Sequence, residues 1–340
     1  MRAKPTTHLD PAGRPTMVDV ARVAGVALST VSRVVNGDPG ARPETVARVQ
    51  AAISSLGWEL DERARQLRSG ETGTLGAAAR DIGDPFVRAT ERAARAHGLM
   101  MLTASTTDDE AAETQIVKSL CRRRFDGLVV EPIGDDHSYL AREIENGLAV
   151  VAIDRPFTGI EADAVTSDNR AGIRAAFGHL AAAGHERIAY IGDFERIYTG
   201  RERASTFRRC AARRGASTEG RVFTGGVDRD TVCKALHTLQ SSLEPPTAVI
   251  AGNGNVVIEA LKHLGPDFGG MALVGFDDVE FSSVVRPALT VIAHDYNAIG
   301  RAAIGLLLAR REDRNRPVQQ IVIPVALIAR GSGERPPRES

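Results

Sequence analysis

The 340-residue chain has few cysteines, no net charge and no long apolar run, and each shortage narrows what the protein can be. Its three cysteines are odd in number and include no Cys-x-x-Cys pair, which predicts buried or idle thiols in a reducing compartment. No run of about eighteen apolar residues occurs, so we expect no membrane-spanning helix and no membrane partner. The polar segment 1–15 lacks the apolar stretch of a signal peptide and therefore predicts a cytoplasmic protein.

Catalytic signatures are missing as well. The chain contains no dinucleotide-binding or phosphate-loop glycine motif, no HExxH and no GxSxG. Its eight histidines do not cluster with cysteines or acids at metal-ligand spacing. The sequence therefore predicts neither an enzyme nor a cofactor or metal site.

The charge balance gives no sign of a nucleic-acid partner. Lys and Arg total 43, as do Asp and Glu, so the formal net charge is 0. The first 75 residues carry only a slight basic excess, ten Lys and Arg against eight Asp and Glu. A DNA-binding role must therefore be argued from a motif.

Residues 16–57 contain three short helical patterns. Thr16 is the expected N-cap of the first, with Asp19 three residues later in a capping-box arrangement. Gly25 is the expected end of that helix, because glycine adopts the left-handed conformation at little cost. Pro43 stands at the first position of the third helix. The spacing predicts three helices joined by tight turns.

The second pattern begins near Leu28 and has two contrasting faces. Val31, Val34 and Val35 form an apolar stripe that we expect to be buried. The opposite face has small hydrogen-bonding groups, one guanidinium and no acid: Ser29, Thr30, Ser32, Arg33 and Asn36. Such a face suits a major groove, where it would contact base edges and phosphates. A three-helix bundle with a solvated polar face has the same pattern, so both interpretations remain open at this level.

From Leu75 onward, short apolar runs alternate with helical patterns. The runs lie at 127–130, 149–153, 187–191, 248–250 and 271–274. The helical patterns lie at 88–97, 110–123, 169–183, 201–214 and 229–241. This alternation is typical of parallel sheets built from βαβ units, and the length of the segment predicts two sheets.

Taken in order, these residues resemble the lactose-repressor (LacI/GalR) family. The likeness begins in the headpiece, at 16–26, 30–37, 43–45, 51–53 and 56–58. It continues through Asp84-Pro85-Phe86, Phe125-Asp126-Gly127-Leu128, Ile153-Asp154-Arg155-Pro156, Ser167-Asp168-Asn169, His179-Leu180, Gly184-His185, Gly275-Phe276-Asp277-Asp278 and Arg286-Pro287-Ala288-Leu289-Thr290. The order and spacing of these motifs over about residues 16–331 make the resemblance specific.

The resemblance implies an all-α helix-turn-helix headpiece and an α/β two-lobed effector domain similar to periplasmic sugar-binding proteins, with two parallel Rossmann-like sheets. The implied ranges are a flexible tail at 1–15, the headpiece at 16–60, a hinge helix and linker at 61–72, an effector-binding and dimerisation domain at 73–331, and a flexible tail at 332–340. Lobe 1 is expected at about 73–163 and 295–322. Lobe 2 is expected at about 164–294 and 323–331.

The family further implies a ligand-responsive regulator, a repressor by expectation, that binds palindromic double-stranded operator DNA as a homodimer. Its effector is expected to be a sugar or sugar-like metabolite. In the hinge, Asp61 would cap a short helix, Leu67 would enter the minor groove as an apolar lever, and Arg65 and Arg68 would meet flanking phosphates. Without the resemblance, a plain charged linker is an equally good interpretation of this segment. A sugar receptor of the same fold would need a signal peptide and no headpiece.

The resemblance assigns two sets of site residues. DNA contacts are expected from Thr16, Leu28, Ser29, Thr30, Ser32, Arg33, Asn36, Arg65, Leu67 and Arg68. Effector contacts are expected from Phe86, Asp154, Asp168, Thr199, Arg203, Asn253 and Asp277. Arg203 and Asp277 match the family's ligand-gripping arginine and its acidic counterpart, which together suit the vicinal hydroxyls of a sugar or a small acid. Acids just past strands also cap turns, which is the alternative for Asp154 and Asp277.

Several positions depart from the family pattern, including Leu60 and Asp61 of the hinge, where Pro and Asn are common. Ala27 replaces the usual serine before the recognition helix, so a capping group worth about 1 kcal/mol is missing. Asp61 adds negative charge close to DNA and weakens the expected hinge contact. Gly254 removes a cleft-lining acid, which argues against a typical hexose as effector.

Overall fold

The structure is a computed structural model that describes residues 14–38, 40–59, 71–107, 109–265 and 268–337. The chain divides into two units, 1–72 and 73–340. The hinge residues Asp61, Arg65, Leu67 and Arg68 lie outside the described residues, so their roles stay predictions. Within the described ranges, no helix has both the length and the apolar character needed to cross a membrane.

The first unit contains three helices around a small apolar core. They are α1 (Met17–Ala24), α2 (Leu28–Val35) and α3 (Pro43–Leu56). Val20, Val31 and Val49, one from each helix, are fully buried and belong to the same cluster. Val34 and Val35 are partly buried against it. The apolar stripe predicted for the second helix is confirmed, with Val31 as its most buried member.

The ends of α1 follow the predicted signals. The amide and the hydroxyl of Thr16 donate to the carboxylate of Asp19 at 3.0 and 2.8 Å. Asp19 is buried and also accepts a hydrogen bond from Arg22 at 2.9 Å. Gly25 ends the helix with a φ of 61°, in the left-handed region that favours glycine. The capping arrangement is confirmed, and it engages the hydroxyl of Thr16 within the headpiece.

The second unit consists of two six-stranded sheets with helices packed on them. The first sheet holds β1 (Thr74–Ala79), β2 (Met100–Ser105), β3 (Leu128–Val130), β4 (Val150–Ile153), β5 (Asp163–Ser167) and β11 (Gln320–Ile323). The second holds β6 (Ile188–Asp193), β7 (Val222–Gly225), β8 (Ala248–Ala251), β9 (Ala272–Phe276), β10 (Thr290–His294) and β12 (Val325–Ile328). The helices are α4 (Pro85–Ala96), α5 (Glu110–Arg122), α6 (Ala141–Glu145), α7 (Asn169–Ala182), α8 (Tyr198–Arg213), α9 (Arg229–Gln240), α10 (Gly254–Leu264) and α11 (Tyr296–Glu312), with short 3-10 turns at Ser138–Leu140 and Phe268–Gly270.

Both sheets have the strand order expected of βαβ units. The order is β11-β5-β4-β3-β1-β2 in the first sheet, where every neighbouring pair is parallel. In the second it is β12-β10-β9-β8-β6-β7, and the β10–β12 pair is antiparallel. The central strands β4 and β8 are buried along their whole length, as strands covered on both faces must be. The two-lobed α/β fold is confirmed, with an antiparallel edge that the pattern did not indicate.

The chain crosses between the sheets three times, and the first crossing differs from the expected one. β5 pairs with β4 and β11, so lobe 1 extends through Ser167 instead of ending near residue 163. As an acidic residue, Asp163 is expected in a loop and not in a buried strand. Arg310 forms an ion pair with it at 3.0 Å, and this partner allows Asp163 to be the first residue of the buried strand β5. The later crossings follow His294 and Ile323, close to the predicted positions.

The segment 332–337 differs from the expected flexible tail. Ser332 is fully buried, and its hydroxyl accepts a hydrogen bond from the amide of Thr290 at 2.8 Å. Its carbonyl accepts another from the amide of Leu273 at 3.0 Å. Glu334 accepts from the Thr290 hydroxyl at 2.8 Å. These bonds fix the segment beside β9 and β10, which lie too far away in sequence for a local pattern to reveal.

Candidate recognition helix and effector cleft

The outer face of α2 carries most of the residues predicted to contact DNA. Among them, Leu28, Ser29, Arg33 and Asn36 are exposed, and Thr30 and Ser32 are half-buried. No side-chain hydrogen bond caps the helix at Ala27, as its sequence leads one to expect. Apolar, hydroxyl, amide and guanidinium groups are therefore available together on one short helix.

Arg33 has a partner that the pattern did not indicate. Its Nε donates to Oδ2 of Asp38 at 2.8 Å, and the amide of Gly40 donates to Oδ1 of the same carboxylate at 2.8 Å. The hydrogen bonds from Arg33 and Gly40 hold the pKa of Asp38 below its usual range. An acid therefore lies next to the recognition face although α2 itself contains none.

Arg48 of α3 closes the turn between α1 and α2. Its Nε donates to the carbonyl of Ala24 at 3.1 Å, and its Nη2 donates to the carbonyl of Gly25 at 2.8 Å. Carbonyls at a helix end lack partners within the helix, so these bonds satisfy groups that α1 leaves open. Arg48 thereby helps to fix where the recognition helix begins.

Arg48→Ala is expected to destabilise the headpiece by about 1–2 kcal/mol, because it removes charge-assisted hydrogen bonds to two carbonyls. Hydrogen exchange of the α1 amides in the full chain measures the effect. Arg42→Ala, at an exposed residue just before α3, is the matched control. Equal protection in the two variants would contradict this role for Arg48.

A cavity of about 630 Å³ lies between the sheets, at the carboxyl ends of their strands. Lobe 1 contributes Arg80, Asp84, Phe86, Glu131, Asp154 and Arg155 to its wall. Lobe 2 contributes Asp193, Thr199, Arg203, Asn253 and Asp277, and the end of β10 and the start of α11 contribute His294 and Tyr296. The volume falls in the range of small-molecule sites, and the wall is rich in groups that donate and accept hydrogen bonds.

The guanidinium of Arg203 is buried in the lobe 2 wall and held on several sides. Its Nε donates to Oδ1 of Asn169 at 2.7 Å, and its Nη1 donates to the carbonyl of Gly252 at 2.7 Å. It also lies over the ring of Phe276, 3.7 Å from the centroid. These partners are neutral, so they orient the guanidinium without neutralising its charge.

Asp277 is the acceptor of the same wall. Its Oδ1 lies 2.8 Å from Nε2 of His294, and its Oδ2 accepts from the amide of Gly254 at 2.8 Å. The other ring nitrogen of His294 lies 2.6 Å from the hydroxyl of Ser167. Burial acts to raise the pKa of Asp277, but the bond and charge of His294, the charge of Arg203 and the Gly254 amide outweigh it and hold the pKa well below its usual range. Asp277 is therefore an ionised acceptor.

Three acids of lobe 1 line the opposite wall. Glu131 is buried, with Nη2 of Arg155 at 3.9 Å, and Nε of Arg155 lies 3.4 Å from Asp154. Burial raises the pKa of Asp84. Burial also raises the pKa of Glu131 to about 7, with the neighbouring acids adding to the rise and Arg155 opposing it. One carboxyl of this wall therefore exchanges its proton near neutral pH.

The raised pKa of Glu131 predicts a pH dependence of stability. In the unfolded chain the carboxyl loses its proton near 4.5, whereas in the folded protein it keeps the proton up to a pKa of about 7. The folded state binds more protons between these values, so the free energy of unfolding falls as pH rises through them. Glu131→Gln is expected to remove up to about 3 kcal/mol of that fall.

Urea denaturation at several pH values measures this difference. Glu145→Gln, which removes an exposed acid of α6, is the control and should keep the wild-type pH dependence. An unaltered dependence in Glu131→Gln would contradict the role of the buried carboxyl.

Six of the seven predicted effector residues line the cavity: Phe86, Asp154, Thr199, Arg203, Asn253 and Asp277. Asp168 is the exception, because its carboxylate accepts from the amide of Ala171 at 2.7 Å and caps α7. Its neighbour Asn169 reaches Arg203 instead. Asp168, the acid just past β5, thus caps a helix and does not line the cavity. A capping role of this kind is the alternative that the sequence left open for Asp154 and Asp277.

Sequence reasoning missed Glu131, Arg155, Asp193 and His294. Each is a polar residue at or just past the carboxyl end of a strand, which is where open α/β sheets bind ligands. That positional signal was available in the sequence and could have found them. Across the described ranges, no group of three or more His, Cys, Asp or Glu side chains is placed to hold a metal ion.

A helix-turn-helix unit followed by a cleft between two mostly parallel sheets defines a DNA-binding transcriptional regulator with a periplasmic-binding-protein-like domain. Models of the bacterial regulatory proteins of the lacI family and of the periplasmic binding protein-like domain match residues 16–59 and 177–333. The chain is 32% identical to the transcriptional regulator GalR of Escherichia coli, over 96% of this chain and 97% of that protein. The chain belongs to the LacI family.

Other relatives and solved structures agree with this assignment. The regulator PtxS of Pseudomonas plecoglossicida is 30% identical over 94% of this chain and 96% of its own length. A crystal structure of the Lac repressor dimer bound to operator and an anti-inducer has the same fold, with a TM-score of 0.82 and 23% identity over 94% of this chain and 99% of that one. The complex of the regulator CelR with cellobiose has a TM-score of 0.67 and 25% identity over 94% of this chain and 100% of that one. The named relatives are transcriptional regulators rather than enzymes.

Proposed function

We propose that the protein is a ligand-responsive transcriptional repressor that binds a palindromic operator as a homodimer and senses a sugar or sugar derivative. The observation that carries the proposal is the cavity of about 630 Å³, which Arg203 and Asp277 of lobe 2 share with Phe86 and Asp154 of lobe 1. The helix-turn-helix lies in a separate unit of the same chain. The protein thus has one place suited to a small molecule and another suited to DNA.

The chemistry of the cavity suits a ligand with several hydroxyl groups. Arg203 donates hydrogen bonds and ionised Asp277 accepts them, so two vicinal hydroxyls would satisfy both. Phe86 offers apolar surface to the carbon face of a sugar ring. A further relative, 30% identical over 93% of this chain and 99% of its own length, is named the ribose operon repressor of Escherichia coli. That name and the cellobiose complex of CelR support a sugar as the first class to test.

Ligand binding in the cavity would change the orientation of the two lobes, because the cavity lies beside the segments that cross between them. Ser167 and His294 end strands at two crossings, and His294 also contacts Asp277 in the cavity. A ligand bound to Asp277 would therefore act beside the segments about which the lobes would move. We propose that the resulting lobe geometry decides whether segment 61–72 folds as a helix and places Arg65, Leu67 and Arg68 on DNA.

Dimer formation follows from the symmetry of the proposed target. Two headpieces on a palindrome require two chains related by a twofold axis. The Lac repressor of the compared crystal structure is described as a dimer on its operator, which supports the same arrangement. The effector domain at about 73–331 would then carry both the ligand site and the dimer contact.

Two measurements test the proposed function. A thermal-shift screen of purified protein against sugars, sugar acids and sugar phosphates is expected to find a ligand that raises the unfolding temperature. Selection from a random duplex library is expected to enrich a palindrome whose affinity changes when that ligand is added. Failure to enrich any palindrome would overturn operator binding. A ligand that binds without altering duplex affinity would overturn the regulatory link.

A further inference from the structure

We infer that Asp38 is a positioning residue for Arg33, holding its guanidinium so that the two terminal amino groups remain for a guanine in the major groove. The inference rests on the proposed DNA-binding function. It gives a role in base recognition to a residue that lies beyond the recognition helix.

The carboxylate of Asp38 is held between two donors. Nε of Arg33 reaches Oδ2 at 2.8 Å, and the amide of Gly40 reaches Oδ1 at 2.8 Å. These bonds also keep the pKa of Asp38 below its usual range, so the group stays ionised at neutral pH. The turn after α2 therefore presents a fixed anion to one edge of the guanidinium.

Gly40 leaves the space that this arrangement needs. A Cβ at position 40 would lie 3.1 Å from Oδ1 of Asp38 and 3.2 Å from Nη2 of Arg33. Both distances are shorter than most Cβ contacts, so with a side chain at position 40 the carboxylate and the guanidinium would have to move by a few tenths of an ångström. The glycine at position 40 thus leaves room in the turn for the ion pair of Arg33 and Asp38.

The bond to Asp38 leaves Nη1 and Nη2 of Arg33 available to contact a base. A guanidinium has five N–H donors, and the bond to Asp38 uses the one on Nε. Guanine is read by two donors on its O6 and N7 atoms, which Nη1 and Nη2 supply together. Because the side chain of Arg33 is 59% exposed, an anchor on Nε reduces the conformational freedom that binding must otherwise remove.

A role in folding does not account for the pair. Asp38 and Arg33 are both exposed, with 38% and 59% of their side chains accessible, and exposed ion pairs add little to stability. The rival role is competition, in which Asp38 withholds Arg33 from DNA phosphates. Positioning and competition predict changes of opposite sign when the carboxylate is removed.

The test uses the full chain with two duplexes, one enriched by the wild-type protein from a random library and one scrambled to equal length and composition. Asp38→Asn is expected to weaken binding to the enriched duplex about tenfold while changing binding to the scrambled duplex by less than about twofold. In an Arg33→Ala background, the same substitution is expected to have no further effect, because the group it positions is gone.

Glu44→Gln is the matched control. It removes one negative charge from the first turn of α3, and it should shift binding to both duplexes by the same factor. Thermal unfolding of each variant checks that the headpiece remains folded.

Tighter binding of Asp38→Asn to both duplexes would show that Asp38 competes with DNA for Arg33 and does not position it. A tenfold loss that persists in the Arg33→Ala background would overturn the inference, as would unchanged discrimination. A wild-type chain that enriches no sequence would overturn the proposed function and this inference together.

Discussion

Arg203→Ala is expected to abolish the response to ligand while leaving operator binding intact. The guanidinium is buried in the cavity wall, oriented by Asn169 and Gly252 and stacked over Phe276. Alanine removes both the charge and the oriented donors, which should weaken ligand binding by about 1.5–3 kcal/mol, roughly ten- to a hundredfold. The recognition helix belongs to the other unit, so duplex affinity without ligand should equal that of the wild type.

The effector found by thermal shift serves as the probe in this experiment, with calorimetry for its affinity and anisotropy for the duplex. Arg201→Ala is the matched control, because Arg201 is an exposed arginine of the same helix α8 and does not line the cavity. Arg203→Lys keeps the charge without the fork and should recover part of the affinity. The Asn169 and Gly252 oxygens lose a partner in Arg203→Ala, so its unfolding temperature must be compared with that of the control. A full ligand response in a folded Arg203→Ala protein would remove Arg203 from the site.

Much of the fold could be predicted because its determinants are local. Runs such as 149–153 and 248–250 are apolar without alternation, and they became β4 and β8, which are buried on both faces. The ends of α1 could be predicted from Thr16 and Gly25 for the same reason. Edge pairing and the C-terminal segment could not. The bond between Thr290 and Ser332 joins residues 42 apart, and no periodicity within either segment reflects it.

The residues of the candidate site likewise include some that could be assigned from the sequence and some that could not. Arg203 and Asp277 could be assigned because the family resemblance names those positions. The place of His294 at the carboxyl end of a strand could have marked it as part of the cleft wall, but its role could not be predicted, because it bridges Asp277 to Ser167, a residue 127 positions away. Asp38 could not be assigned from the helical pattern for a different reason, because it lies in the turn after α2 whereas its partner Arg33 lies within that helix. Local patterns found the elements, whereas contacts between elements supplied most of the chemistry.

Leu67→Ala is expected to have the largest effect on DNA binding. If Leu67 inserts between base pairs of the minor groove, its apolar surface is buried only on an operator that can be kinked. Losing that burial should cost about 2 kcal/mol for each leucine, and a dimer has two, so affinity for the enriched palindrome should fall about a thousandfold. Binding to scrambled DNA depends mainly on phosphates and should be nearly unchanged.

Anisotropy with both duplexes over a range of salt concentrations measures this prediction. Arg68→Ala is the contrasting variant, because loss of a phosphate contact should weaken both duplexes and reduce the salt dependence by about one unit per chain. Equal loss on both duplexes in Leu67→Ala, or no loss, would refute the lever. The ligand affinity of Leu67→Ala should equal that of Arg68→Ala on free protein, because the lever acts on DNA. A change of ligand affinity in Leu67→Ala but not in Arg68→Ala would mean that the hinge segment is coupled to the ligand cleft even when no DNA is bound.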